Sequence, residues 1–273
     1  MPRRRPNLNF DLPLPGGLPE PSAVPVEPMP IRDAATVVLL RDTARGVEVF
    51  LQRRVTAMAF AGGMTVFPGG GVDKRDADAS IRWAGPPAAR WAEWFDCSES
   101  LARALVCAAI RETFEESGVL FAGTESELVT DTARYAAERQ ALVARELSLA
   151  SFLGEHGLTL RADLLRGWAN WLTPDGEPRR YDTRFFLAAM PEGQHADGAT
   201  TEAETSGWWR PADALADAEA GNSMLMPPTW ITLAELAEFG TAEEALAADR
   251  ELDKIVPTLR RDGDTVRVVL EDS

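Results

Sequence analysis

Four residues in one short stretch have the types and spacing to do chemistry together: Arg111, Glu112, Glu115 and Glu116, in the run Arg111-Glu112-Thr113-Phe114-Glu115-Glu116-Ser117-Gly118-Val119. At about 100° per residue on a helix the three glutamates fall within an arc of about 100°, because i, i+3 and i+4 are neighbours. The opposite face takes Val106, Cys107, Ile110 and Phe114. Like charges at this spacing repel, and a helix ending at Gly118 sets them near the negative end of its dipole. Each effect costs between a few tenths and about 1 kcal/mol. The cluster is tolerable but asks for a cation. A hard divalent ion such as Mg²⁺ prefers carboxylate oxygens and leaves positions open for water and substrate phosphate. The alternative is a solvated acidic face in a chain that is acidic anyway.

The elements that must position these residues follow from pattern. Ala34–Arg41 and Val47–Arg53 are β-rich runs around a turn at Asp42–Gly46, which predicts a hairpin. Val66-Phe67 runs into Pro68-Gly69-Gly70-Gly71, a stop at which backbone can approach a ligand closely or simply turn. Arg82–Cys97 carries Trp83, Trp91 and Trp94 around a Gly85-Pro86-Pro87 break and reads as an inserted element, either stacking on an adenine or packing on its own domain or a dimer partner. Ser98 or Ser100 can cap a helix over Leu101–Ser117, with Gly118 just beyond its end. Further along, the pattern predicts a short strand at Val119–Ala122, a long helix over Asp131–Phe152, and strands at Trp168–Leu172, Phe185–Met190 and Gly207–Arg210. Pro211 and Pro227-Pro228 each open a helix, the second through Phe239, and Thr265–Leu270 is a terminal strand. Residues 1–30, with nine prolines, read as an extended arm. Strands and helices alternate without regular βαβ spacing, so the expected class is α/β, a mixed sheet packed between helices.

Composition narrows the chemistry. With 28 basic and 43 acidic residues among 273, the net charge is −15, which disfavours nucleic acid and anionic membrane surfaces as partners. No apolar run reaches the roughly 20 residues of a membrane span, and Met1–Arg5 leads into prolines rather than an apolar segment. The expected location is cytoplasmic. Cys97, Cys107, His156 and His195 supply neither a disulfide framework nor a zinc set. Any catalysis therefore runs on carboxylates. A di-metal carboxylate bundle is excluded, since it needs a Glu-x-x-His pair on each of two helices and the chain has only Glu192 with His195, beside Pro191 and Gly193.

The order Arg111-Glu112-Thr113-Phe114-Glu115-Glu116-Ser117-Gly118-Val119, downstream of Phe67-Pro68-Gly69-Gly70, resembles the Nudix hydrolase signature G-x5-E-x7-R-E-U-x-E-E-x-G-U, where U is a bulky apolar residue. Thr113 departs from the pattern. In strict register the first Glu and the Gly of the signature would fall on Arg103 and Cys97. Matching the Gly to Gly70 instead requires an insertion, about residues 72–100, that holds the Trp-rich segment. A Nudix group that includes peroxisomal coenzyme A diphosphatases is similar in carrying an insertion at this place. The missing first acid leaves Glu99 as the candidate substitute. Thr201-Glu202-Ala203-Glu204 before Trp208-Trp209-Arg210-Pro211, and Met226-Pro227-Pro228-Thr229 before the next helix, resemble later Nudix segments, so the likeness spans about residues 34–240, with 241–273 as a C-terminal helix and strand extension.

The resemblance implies a Nudix α/β/α sandwich that cleaves the diphosphate bridge of a nucleoside diphosphate linked to another moiety, with Mg²⁺ or Mn²⁺. Glu115 and Glu116 would be the principal metal ligands and Glu112 a further ligand or the base for water. Arg111 would orient a glutamate by charge-assisted hydrogen bonds. Glu202, with Glu204 in reserve, would be a further base or ligand, and Gly69 and Gly70 would lie against metal or phosphate oxygens. Arg53 and Arg54 would contact substrate phosphate or serve as surface charge at a strand end. Coenzyme A or an acyl derivative is the favoured substrate, although Ala59 stands where coenzyme A diphosphatases carry an Arg upstream of the Phe-Pro-Gly-Gly run; Gly63 matches. ADP-ribose, a nucleotide sugar, or a non-catalytic nucleotide-binding module are the alternatives. A homodimer built on the insertion is an open expectation. The last three residues, Glu271-Asp272-Ser273, are not a peroxisomal address.

Overall fold

The computed structural model describes residues 10–13, 30–56, 61–124, 126–175, 179–262 and 265–270. Most of the proline-rich arm, and Ala59, lie outside them. Phe10–Pro13 form a short strand, β1, where the sequence predicts only extended arm. The chain then enters the long hairpin of β2 (Ile31–Thr43) and β3 (Gly46–Arg54), paired antiparallel from Leu40–Val49 to Thr43–Gly46. The Thr43 hydroxyl closes the turn, donating to the Gly46 carbonyl at 2.9 Å and accepting from the Arg45 N–H at 3.1 Å. Short strands β4 (Thr65–Val66) and β5 (Gly69–Gly71) add to β3 and β2 respectively. The insertion follows, with β6 (Trp83–Ala84) and α1 (Ala88–Phe95).

Helix α2 (Glu99–Ser117) is the axis of the molecule. The Ser98 hydroxyl caps it, accepting from the Leu101 N–H at 3.2 Å, and Gly118 ends it at φ +73°, a conformation that suits glycine. Ala102, Ala104, Ala108 and Ala109 are all buried, so small side chains let the helix lie close against the sheet. Beyond it come β7 (Ala122–Gly123), α3 (Ala136–Val143), α4 (Leu149–Glu155) and β8 (Thr159–Arg161). The helix predicted over Asp131–Phe152 is thus broken into a 3₁₀ turn at Ala133–Tyr135 and two α-helices. Arg145 takes a left-handed φ of +60°, the N–H groups of Glu146 and Leu147 both turn back to the Ala141 carbonyl, and the Ser148 hydroxyl caps a new start. The strand expected at Val119–Ala122 shrinks to β7, which pairs with β8 and bridges to Leu128.

Strands β9 (Arg166–Leu172), β10 (Arg180–Ala189) and β11 (Ala203–Trp209) complete the main sheet. Helices α5 (Pro211–Glu219), α6 (Pro227–Leu236) and α7 (Ala242–Leu246) follow, the first two opened by proline as expected. Strands β12 (Lys254–Ile255), β13 (Thr258–Asp262) and β14 (Thr265–Leu270) end the described chain, and β1 pairs with β14. The sheet order is β11-β3-β2-β10-β9-β12, with β10 parallel to β2, β12 parallel to β9 and the other neighbours antiparallel.

Strand alternation sorts the core into two layers. Ala35, Val37 and Leu39 of β2, Phe50 of β3 and Phe186 of β10 face α1, α2 and α4, while Val38, Leu40, Val49, Leu51 and Leu187 face α6 and α7. The result is the α/β/α sandwich with a mixed sheet that the resemblance implies. The insertion packs on its own domain: Trp91 is fully buried with its ring 5.9 Å from Phe95 and 5.6 Å from Phe186. The Trp83 indole N–H donates to the Pro86 carbonyl at 2.7 Å. Burial leaves Trp91 no face for a nucleobase.

Candidate active site

The site forms where the last two turns of α2 lie against β5 and the end of β3. Because α2 runs along the sheet there, Arg111, Glu112 and Glu116 meet successive residues of the glycine loop. The Arg111 guanidinium donates to the Gly71 carbonyl at 3.0 Å. Glu112 rests on Gly70, whose missing Cβ would stand 2.5 Å from the carboxylate, so any larger residue there would displace it. Glu116 accepts from the Gly69 N–H at 2.9 Å and from the Gln52 side-chain amide at 3.0 Å.

Arg111 organises the acids. Its Nη1 donates to Glu112 at 2.8 Å and to Glu115 at 3.1 Å. Its Nε and Nη2 grip Asp76 in a two-point pair at 3.0 and 2.9 Å. Asp76 is only 1% exposed and sits on a 3₁₀ turn, Lys74–Ala77, capped by Asp73. Five residues separate Gly70 from Asp76, which is the G-x5-E interval with aspartate in place of glutamate. The acid missing from the sequence reading is therefore present. Counting back from Arg111 hid it, because 34 residues lie between Asp76 and Arg111 where the pattern has seven. Counting forward from Gly70 finds it. The insertion opens after Asp76 rather than directly after the glycine loop. Glu99 cannot substitute: it is exposed in the first turn of α2, about 20 Å along the helix axis from Glu112. Gln52 was also missed, since nothing local marks a strand glutamine as the partner of a distant acid.

Strand alternation separates the two arginines of β3. Gln52 and Arg54 project to the α2 side, and Arg54 pairs with Glu202 at 3.0 Å. Arg53 is exposed on the opposite side, away from the acids. Glu202 reaches the rim of the site from the β10–β11 loop, its carbonyl accepting from the Val55 N–H at 2.9 Å. Glu204 instead turns to Thr56, accepting from its hydroxyl at 3.2 Å.

The electrostatics follow from burial. Desolvation raises the pKa values of Glu112, Glu115 and Glu116 above the ordinary carboxylate range. For Glu116 the charges of Glu112 and Glu202 add to that rise, while the Gly69 N–H and Arg54 oppose it. For Glu112 and Glu115 the Arg111 charge opposes burial. Arg111 is itself buried, which works against its charge, but Glu112, Asp76 and Glu115 overcome this and hold its pKa above the usual value. One guanidinium thus faces three acids besides Glu116, and the site is short of positive charge.

Among the described residues, no three acidic, histidine or cysteine side chains converge as a finished metal cage. Magnesium does not require one, being held by one or two carboxylates together with water and substrate phosphate. Hard oxygen donors at i, i+3 and i+4, with Gly70 leaving room for the Glu112 carboxylate against the loop, fit such an ion.

Comparisons with known proteins agree with this geometry. The family model for the NUDT19 Nudix domain matches residues 97–236, just over half of the chain. A putative nudix hydrolase 7 of Caenorhabditis elegans is 30% identical over 207 residues, covering 76% of this chain and 61% of that protein. An acyl-coenzyme A diphosphatase NUDT19 of Xenopus laevis is 28% identical over 151 residues, covering 50% of this chain and 40% of that protein. The match thus spans less than two thirds of the length of either relative. The crystal structure of a NUDIX hydrolase from Alicyclobacillus acidocaldarius superposes with a TM-score of 0.67 at 27% identity, over 82% of this chain and 99% of that one. With the split signature closed in space by Asp76 and Arg111, and the family match lying across its catalytic half, the chain belongs to the NUDT19 Nudix domain family.

Proposed function

We propose that this protein hydrolyses the diphosphate bridge of a nucleoside diphosphate linked to another moiety, with coenzyme A or an acyl-coenzyme A favoured, using Mg²⁺ or Mn²⁺. The observation that carries the reading is the set of Glu112, Glu115 and Glu116 on one helix face, organised by an Arg111 that Asp76 holds in place. The names of the vertebrate relatives favour the coenzyme A substrate class. Asp76, an acid at the signature's first Glu position, supports the catalytic reading over a non-catalytic module.

Glu115 and Glu116 would be the principal ligands of the ion, with Glu112 a further ligand or the base. When bound, the ion neutralises diphosphate charge and makes bound water a better nucleophile. The protein's own groups do the rest. Arg111 restrains the rotamers of Glu112 and Glu115, and Gln52 with the Gly69 N–H restrains Glu116, so the acids are held at one end of α2 before substrate arrives. Glu112, held by Arg111 against Gly70, is placed to take a proton from water. Glu202, at the rim, is a second candidate for that role, and Arg54 beside it can meet phosphate.

The test incubates the protein and its Glu115→Gln/Glu116→Gln variant with Mg²⁺ or Mn²⁺ and coenzyme A, acetyl-coenzyme A, ADP-ribose, NADH or nucleoside triphosphates, reading products by mass spectrometry. The expected products are 3′,5′-ADP with phosphopantetheine or its acyl form, from the unmodified protein alone. Turnover of ADP-ribose but not coenzyme A would replace the substrate class. Products from the double variant at the wild-type rate would remove the assigned ligands.

A further inference from the structure

Outside the acid cluster, Arg139 of α3 joins the two halves of the site. It is 8% exposed, and its Nε donates to the carbonyl of Glu115 at 3.0 Å, at the end of α2. Its Nη1 and Nη2 make a two-point pair with Asp197 of the β10–β11 loop, both at 2.9 Å. The Asp197 N–H donates to the Ser117 carbonyl at 2.9 Å, and the Asp197 carboxylate accepts from the Ala199 N–H at 2.9 Å. Gly118 makes room: a Cβ there would stand 2.9 Å from Arg139 Nη1 and 3.0 Å from an Asp197 oxygen. Upstream, the Gln194 side chain exchanges two hydrogen bonds with the backbone of Leu120, each 2.9 Å. The loop is therefore tied to the C-terminal end of the carboxylate helix before it reaches Glu202, five residues beyond Asp197.

The pair is a poor device for stability alone, because the Asp197 side chain is 48% exposed and an exposed ion pair contributes little. As a geometric device it is well formed: a forked guanidinium fixes distance and angle at once, and it spans the helix that carries Glu115 and Glu116 and the loop that carries Glu202. We infer that Arg139 and Asp197 are positioning residues that set the β10–β11 loop against the end of α2, so that Glu202 stays at the rim beside Glu116. This rests on the hydrolytic role proposed for Glu202. The loop has a second anchor at Val55 and Arg54, and the experiment separates the two.

Hydrogen exchange over residues 197–205 is compared in the 273-residue protein and its Asp197→Ala variant. In parallel, kcat and KM for coenzyme A with Mn²⁺ are measured for wild type, Asp197→Ala, Glu202→Gln and the double variant. Faster exchange in the loop is expected, with kcat lower by on the order of ten- to a hundredfold and KM unchanged. Glu202→Gln is expected to cost less in the Asp197→Ala background than in wild type, since a displaced Glu202 has less to lose. Unchanged exchange overturns the inference, as do single effects on kcat that simply multiply, for then the β3 anchor suffices. Should the wild type cleave no diphosphate, the hydrolase reading falls, and loop exchange alone decides whether the strap exists.

Discussion

Asp76 and Arg111, 35 residues apart in sequence, meet in a buried two-point ion pair at 3.0 and 2.9 Å, and the same guanidinium also holds Glu112 and Glu115. Removing one partner of such a pair strands the other charge. Asp76→Asn is expected to destabilise the protein by about 2–3 kcal/mol, below the usual range for a buried pair because Arg111 keeps two other acids. Guanidinium unfolding measures this. Asp76→Glu, the residue type of the general signature, is expected to retain more activity than Asp76→Asn; the reverse order would mean that charge at this position is not what matters.

Gln52 and Glu116 separate support from ligation. Gln52→Leu removes one donor to a carboxylate and is expected to lower Mn²⁺ affinity by about 10–100-fold, the usual effect of losing a ligand's hydrogen-bond partner. Glu116→Gln is expected to cost more. Calorimetric titration of Mn²⁺ into both variants gives the order, and equal losses would place Glu116 outside the ligand set.

Gly70→Ala places a methyl group where the Glu112 carboxylate lies, 2.5 Å from it. Glu112 must swing away, so kcat is expected to fall by on the order of a hundredfold. The stability cost is about 1–3 kcal/mol, as for other overpacked sites. Kinetics and thermal melting on one preparation check both. A variant with wild-type kcat would show that Glu112 works from another position.

Acid stability has a marker at Asp73. Its carboxylate accepts from the Arg75 side chain and backbone, which lowers its pKa to about 2. A depressed folded-state pKa means that the stabilisation is complete above the unfolded value near 4 and is lost as pH falls toward 2. Asp73→Asn is therefore expected to destabilise the protein by about 1 kcal/mol at pH 6, a value discounted for partial exposure, with the difference closing at pH 2. Urea denaturation at the two pH values measures it. A constant difference would assign the effect to turn geometry instead of charge.

Local signals located the parts that local forces build. Ser98 and Gly118 bound α2 within two residues of the expectation, Pro211 and Pro227 open helices as predicted, and the β2–β3 hairpin follows its alternation. Three features needed long-range information. The helix over Asp131–Phe152 kept its apolar periodicity across a break set by the left-handed Arg145, a residue type that gives no warning. The pairing of Phe10–Pro13 with β14 joins opposite ends of the described chain, which no window of sequence contains. Asp76 and Gln52 entered the site only once the sheet and α2 were brought together, whereas the three glutamates were legible because one helix carries them all.

The chain leaves the site at Asp76 and re-enters it at Arg111, and those two side chains are bonded to each other, so the intervening segment is a loop whose mouth is already closed. Closing a loop of 34 residues rather than seven costs only about 1.4 kcal/mol more on ideal-chain scaling, and the packing of Trp91 against Phe186 offsets it. Length in that segment is thus a nearly free variable. Whole helices can be gained or lost between the glycine loop and the glutamates while the acids keep their mutual places, because contacts across the gap, and not the run of residues between, define where they stand.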